Sequence, residues 1–165
     1  MAKQLLLVRH GKSDWGNLDL KDFDRPLNKR GKENAPEMAE RLLSKSFKFD
    51  LIVSSPAKRA KTTAKYFAEA YHTSEIQFEE SIYEASATTL LQVINKLDDS
   101  ANTVMMFGHN PGFTDLANEL SHADIYNIPT AGMVLISFPF NSWSMVSKGT
   151  GELVFFDYPK NSDEI

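Results

Sequence analysis

Two arginines and two histidines stand in this sequence at places where a strand gives way to a turn. Arg9 and His10 end the apolar run Leu5-Leu6-Leu7-Val8 and are followed by Gly11. Arg59 comes shortly after Ser54-Ser55-Pro56, and His109 follows the run Val104–Phe107 within Gly108-His109-Asn110-Pro111-Gly112. A guanidinium grips phosphoryl oxygens two at a time, and a neutral imidazole nitrogen is a nucleophile near pH 7. Gly11 leaves room for a close turn and lets a ligand approach the backbone. Arginine beside histidine therefore implies phosphate chemistry, provided the fold brings the pieces together.

The flanking elements determine whether it can. A short continuous apolar run reads as a strand covered on both faces, as central parallel strands are. Such runs occur at 5–8, at 49–53 and at 102–107, with a weaker one over 76–83. Between them the apolar residues recur at helical spacing. Asn28 is placed to cap a helix burying Ala35, Met38, Ala39, Leu42 and Leu43, with Pro36 expected to delay its start or kink it. Ser54-Ser55-Pro56 opens a helix from Ala57 to about Tyr71, with a capping serine and proline at the first helical position. A third helix spans Ser86 to Leu97, and a fourth, opened by Asn110-Pro111, buries Phe113, Leu116, Ala117 and Leu120. Met133–Phe138 and Gly151–Tyr158 alternate like strands around Trp143. Lys12 to Leu27 is polar and aperiodic and reads as a long ordered loop.

Strands alternating with helices imply an α/β sandwich with a largely parallel sheet. In such a sheet the strand-to-helix corners open on one edge. Arg9 with His10, Arg59, and His109 would converge there with two helix N-termini, whose free N–H groups favour anions. The arrangement suits a dianion.

Composition narrows the alternatives. The 165 residues are 42% hydrophobic and 24% charged, ordinary for a globular domain. Without cysteine there is neither a disulfide nor a thiolate metal site. The first residues hold too short an apolar run for a signal peptide or membrane span, so the cytoplasm is the expected location and no membrane partner is expected. Residues 1–82 carry 15 Lys+Arg against 12 Asp+Glu, a balance of +3, and residues 83–165 carry 3 against 10, a balance of −7. A basic half this mild and this interspersed with acids does not suit nucleic acid. His72 and His122, near helix ends, read as surface residues.

Arg9-His10-Gly11, Arg59 after Ser54-Ser55-Pro56, and Gly108-His109-Asn110 resemble the signature of the histidine phosphatase superfamily, with its phosphoglycerate-mutase-like fold. Arg25-Pro26-Leu27-Asn28-Lys29-Arg30-Gly31, Ile82-Tyr83-Glu84-Ala85-Ser86 and Gly108–Gly112 are similar to its SixA-type phosphohistidine phosphatase branch. The likeness runs from about residue 4 to residue 157. It implies a single domain over 1–165, a three-layer α/β/α sandwich around a mostly parallel mixed sheet of about six strands, and an antiparallel strand near the C-terminus.

The resemblance also implies roles. His10 matches the nucleophile that takes the phosphoryl group, and Arg9, Arg59 and His109 match the groups that hold its oxygens. Ser13 and Asn110 are further candidates for binding substrate, and Lys12 and Arg25 for its rim. Glu84 is the best match to a proton donor, with Asp14, Asp22 and Asp24 as rivals. A metal-independent phosphohydrolase without cofactor is expected, since the cations already supply the charge. Its expected substrate is phosphohistidine in a protein partner. A small phosphate ester is the alternative, and a phosphate-binding module without catalysis lies further off.

Overall fold

A computed structural model describes residues 2–160. Six strands form one sheet: β1 (Lys3–Arg9), β2 (Leu51–Ser54), β3 (Gln77–Phe78), β4 (Thr103–Gly108), β5 (Met133–Phe138) and β6 (Glu152–Asp157). Their order across the sheet is β3-β2-β4-β1-β5-β6. The pairings β3·β2, β2·β4 and β4·β1 are parallel, whereas β5 is antiparallel to both β1 and β6. The expected mixed sheet is present, and its antiparallel member is β5.

Four helices cover the two faces: α1 (Lys29–Ser44), α2 (Lys58–Ala70), α3 (Ala87–Asn95) and α4 (Gly112–Ser121). Successive residues of β1 point to opposite faces. Leu6 and Val8 pack with Met38 and Leu42 of α1 and Phe67 of α2. Leu5 and Leu7 pack with Ile94 of α3, with Phe113 and Leu116 of α4, and with Trp143. With helices on both faces, every β1 position between Leu5 and Val8 needs an apolar side chain. Each such burial contributes roughly 1.5–3 kcal/mol.

Local signals set the helix starts. Asn28 Oδ1 accepts from Gly31 N at 2.9 Å, and Ser86 Oγ accepts from Thr89 N at 3.2 Å. Pro36 does not delay α1, which begins at Lys29 and carries the proline inside it. The missing N–H removes one backbone bond, and burial of Ala35, Met38, Ala39 and Leu42 outweighs that loss. α2 starts at Lys58 rather than at Ala57, because Ser55 Oγ accepts from Ala57 N and holds Ser55-Pro56-Ala57 as a turn. The strand expected over 76–83 shrinks to Gln77–Phe78, and a 3₁₀ turn at Glu80–Ile82 replaces the rest. His72 and His122 are exposed in left-handed backbone conformations just past α2 and at the end of α4.

Lys3 is buried at the start of β1. Its ammonium donates to Asp99 O at 2.5 Å and Asn102 Oδ1 at 3.0 Å and lies 5.9 Å from the Trp143 ring. The partners replace water around the charge. Among the described residues, no helix is long and apolar enough to cross a membrane.

Candidate active site

β1, β2 and β4 run parallel, so their carboxyl ends share one edge and carry Arg9 with His10, the turn into α2, and His109. The loop after β1 can come this close to α1 because Gly31 has no side chain, and a Cβ there would collide with the Lys12 carbonyl. Gly11 N donates to Thr63 Oγ1 at 3.0 Å, and Thr63 Oγ1 donates to Arg59 O at 2.8 Å, which ties the His10 turn to α2.

The His10 ring has one defined tautomer. Its Nδ1 lies 2.6 Å from the Gly11 carbonyl, which can only accept, so Nδ1 carries the proton. Nε2 is left with its lone pair, and Arg59 Nε–H points to it at 3.3 Å. Burial pushes the His10 pKa down to about 4; the Gly11 bond opposes this and the charges of Arg59 and Arg9 add to it. The ring is neutral at pH 7 and its unprotonated nitrogen faces a guanidinium.

His109 stands beside it, with ring centroids 5.2 Å apart. Burial, followed by His10 and Arg59, pushes His109 down to about 3. Ser55 Oγ lies 2.8 Å from His109 Nε2 while accepting from Ala57 N. Ser55 is fully buried and its hydroxyl has no other acceptor among the described residues, so its proton goes to Nε2 and the His109 proton sits on Nδ1. That Nδ1 and Arg9 Nε are buried without a hydrogen-bond partner among the described residues. Arg9 Nη1 is anchored on Ile128 O at 2.8 Å. Two buried donors left open beside a nucleophilic nitrogen are what an oxyanion satisfies.

Asp22, in a 3₁₀ turn at Asp22–Asp24 of the first loop, closes the site. Arg59 Nη1 donates to Asp22 O at 2.6 Å and Nη2 to Asp22 Oδ2 at 2.9 Å. The Tyr83 hydroxyl donates to the same Oδ2 at 2.6 Å. Burial pushes the Asp22 carboxyl up, but Tyr83 and Arg59 outweigh it and hold the group below its ordinary value. Burial, helped by Asp22, pushes the Tyr83 phenol up to about 12. Tyr83 also meets Phe23 and His109 edge-on, at 5.1 and 5.4 Å.

Of the residues singled out in the sequence, Arg9, His10, Arg59 and His109 come together. Glu84 makes no hydrogen bond to them, although its charge adds to the rise of the Tyr83 pKa. It is exposed, with φ 54°, and makes no hydrogen bond among the described residues. Asp22 is the carboxylate that reaches the centre, and it does so ionised. Asn110 lies at the edge but is turned away: its amide donates to Asn127 Oδ1 and Ile128 O, and its oxygen accepts from Thr114 N and Oγ1. With both amide N–H groups engaged its side chain serves as a brace and has no donor left for substrate. Ser13 is buried and bridges to Leu27. Arg25 is buried and stacks on Trp15, 3.8 Å from the ring centre. Among the described residues no three His, Asp or Glu side chains group as metal ligands.

Sequence reasoning missed three groups. Ser55 was legible only as a cap, and Tyr83 only as part of a motif. Ile128 carries no side-chain signal, because its carbonyl does the work. It sits in the segment before β5, where Ala131 N donates to the carbonyls of Arg9 and His10.

The sequence and the fold both recur in known proteins. Residues 5–109 match the family model of the histidine phosphatase superfamily, branch 1. An uncharacterized chloroplastic protein of Arabidopsis thaliana is 33% identical over 153 residues, which cover 87% of this chain and 70% of that protein. The crystal structure of an Agrobacterium tumefaciens protein assigned as the phosphohistidine phosphatase SixA superposes with a TM-score of 0.83 at 25% identity, covering 96% of this chain and 99% of the other. A mutant phosphoserine phosphatase from Entamoeba histolytica shares the fold at a TM-score of 0.68 and 18% identity, over 93% of this chain and 96% of its own. The converging arginines and histidines, the sheet order and these likenesses agree: the chain is a phosphohydrolase of the histidine phosphatase superfamily, of the SixA type.

Proposed function

We propose that this phosphohydrolase removes the phosphoryl group from phosphohistidine in a protein partner, by way of a phosphoenzyme on His10. The observation that carries this reading is that Asp22, the only carboxylate hydrogen-bonded to the cluster among the described residues, is tied to Arg59 and Tyr83 and is no acid for a basic leaving group. Asp22 is held ionised, the Tyr83 proton is turned onto Asp22, and Glu84 is exposed. An alkoxide needs a proton in the transition state, whereas a phosphohistidine ring protonated at its far nitrogen departs as neutral imidazole without an acid from the enzyme.

In the first step His10 Nε2 attacks phosphorus and the substrate P–N bond breaks, its electron pair returning to a ring already protonated at its far nitrogen, which departs as neutral imidazole. Arg9, Arg59 and the His109 Nδ1–H hold the three equatorial oxygens, since phosphoryl transfer depends mainly on positioning and charge. The carbonyl of Gly11 supports the charge that builds on His10 by accepting from Nδ1. In the second step water attacks phosphorus, the P–Nε2 bond breaks, and inorganic phosphate leaves with His10 neutral again. The segment between α2 and β4 consists of β3, the Glu80–Ile82 turn and α3, whose apolar face packs into the core. It adds no lid-sized insertion, which suits a bulky substrate.

The test compares a phosphohistidine peptide with a panel of aryl and alkyl phosphates, and quenches labelled reactions at alkaline pH. Preference for the peptide and an acid-labile phosphoenzyme missing from His10→Ala are expected. Equal or better turnover of alkyl esters would overturn the substrate reading, and wild-type labelling of His10→Ala would overturn the intermediate.

A further inference from the structure

We infer that Asp22, braced by Tyr83, is the positioning residue for Arg59: it fixes the guanidinium plane so that Nε–H is held beside the reacting nitrogen of His10, where it passes to a phosphoryl oxygen as Nε2 attacks. The inference rests on the reading of Arg59 as a phosphoryl-binding group.

Three contacts define the orientation. Arg59 uses one N–H of Nη1 on the Asp22 carbonyl and one of Nη2 on the Asp22 carboxylate. The guanidinium has five N–H groups in a rigid fork. With two engaged by Asp22, Nε–H and the second hydrogens of Nη1 and Nη2 remain. Arg59 can thus keep both Asp22 bonds and still donate to a phosphoryl group.

Arg59 Nε lies 3.3 Å from His10 Nε2, and the planar fork transmits the tilt set at its far end. Asp22 itself needs support, because it belongs to a loop and its side chain is 43% exposed. Tyr83 supplies it: the hydroxyl donates to the same Oδ2 that Arg59 uses, and the ring packs edge-on against Phe23, the next residue in the loop. Tyr83 in turn touches His109, so one carboxylate links the nucleophile's arginine to the second histidine. Asp22 is the only carboxylate in hydrogen-bond contact with this cluster among the described residues. Removing its charge leaves Arg9 and Arg59 less compensated, which strengthens the hold on a free phosphate dianion while loosening the geometry for transfer.

The two effects have opposite signs, and that separates positioning from general damage. The experiment measures kcat, KM and inhibition by inorganic phosphate for wild type, Asp22→Asn, Tyr83→Phe, Arg59→Ala and the double variant Asp22→Asn with Arg59→Ala. Thermal unfolding of each establishes that it is folded. The expected result is a kcat lowered roughly 10- to 100-fold in Asp22→Asn, the usual cost of a misplaced catalytic group. KM and the phosphate inhibition constant should stay level or fall. Tyr83→Phe should show a smaller change of the same sign, and Asp22→Asn should cost almost nothing further once Arg59 is gone.

Three results would overturn the proposal. They are a normal kcat in folded Asp22→Asn, a matching rise in KM and the phosphate inhibition constant, and a full additional loss in the double variant, which would make Asp22 act on its own. A near-normal rate in Arg59→Ala would instead defeat the phosphoryl-binding reading, so the two failures are distinguishable.

Discussion

Arg59 Nε and His10 Nε2 lie 3.3 Å apart, closer than two cations would settle. The pair is stable because His10 is neutral, its single proton given to the Gly11 carbonyl at 2.6 Å. Nucleophile and charge stabiliser are thus adjacent before substrate arrives, and the Nε–H bond passes from Nε2 to a phosphoryl oxygen when the His10 lone pair turns to phosphorus.

Replacing Arg59 by lysine tests that relationship while keeping the charge. Lysine loses the fork that serves His10 and Asp22 together. A loss on the order of 2–4 kcal/mol in transition-state stabilisation is expected, comparable to deleting an oxyanion donor. It is read as kcat/KM on a phosphohistidine peptide. An unchanged kcat/KM would mean that charge alone is what Arg59 supplies.

Ser55→Ala should impair catalysis through His109. Without the serine hydroxyl, His109 Nε2 loses its partner and the proton is free to move off Nδ1. A loss of roughly 1–2 kcal/mol, about tenfold in kcat/KM, is expected. Nitrogen-15 spectra of the imidazole should show the Nδ1–H form of His109 in the wild type and a mixture in the variant. An unaltered tautomer and rate would leave Ser55 with its turn-forming bond to Ala57 alone.

Stability should fall in mild acid. The His10 and His109 pKa values lie below their ordinary value, near 4 and 3, so between pH 6.5 and those values the unfolded chain binds more protons than the folded one. Stability therefore rises with pH across that window and is lost as pH falls from about 6.5 toward 4. For His10 alone the loss is on the order of 3 kcal/mol, at about 1.4 kcal/mol for each pH unit. Urea midpoints for wild type and His10→Phe, measured between pH 4 and 7.5, check it: the phenylalanine variant should have the flatter profile.

Glu84→Gln should leave phosphohistidine hydrolysis within a factor of about two, because the carboxylate is exposed and makes no hydrogen bond among the described residues. A drop of about a hundredfold confined to alkyl esters would make Glu84 their proton donor, since that is the usual worth of positioned acid catalysis.

The order of elements and the four converging side chains were determined by the sequence alone, because each depends on local pattern. Continuous apolar runs such as Leu5–Val8 report burial on both faces, and Asn28 and Ser86 mark their helix starts by capping. The strand-to-helix corners then carry Arg9, His10, Arg59 and His109 to one edge by the geometry of parallel strands. Tertiary structure decided the rest. Asp22 and Arg59 are 37 residues apart and Tyr83 and Asp22 are 61 apart, and no periodicity records a meeting of a loop carboxylate with either. Ile128 contributes a carbonyl that every residue owns, so its role depends on the segment before β5 folding against β1. Glu84 stood in the expected motif but landed in solvent, because side-chain direction is set by the turn that bears it. Periodic burial is written locally in the chain, whereas polar partnerships form only when long-range packing has fixed where each side chain points.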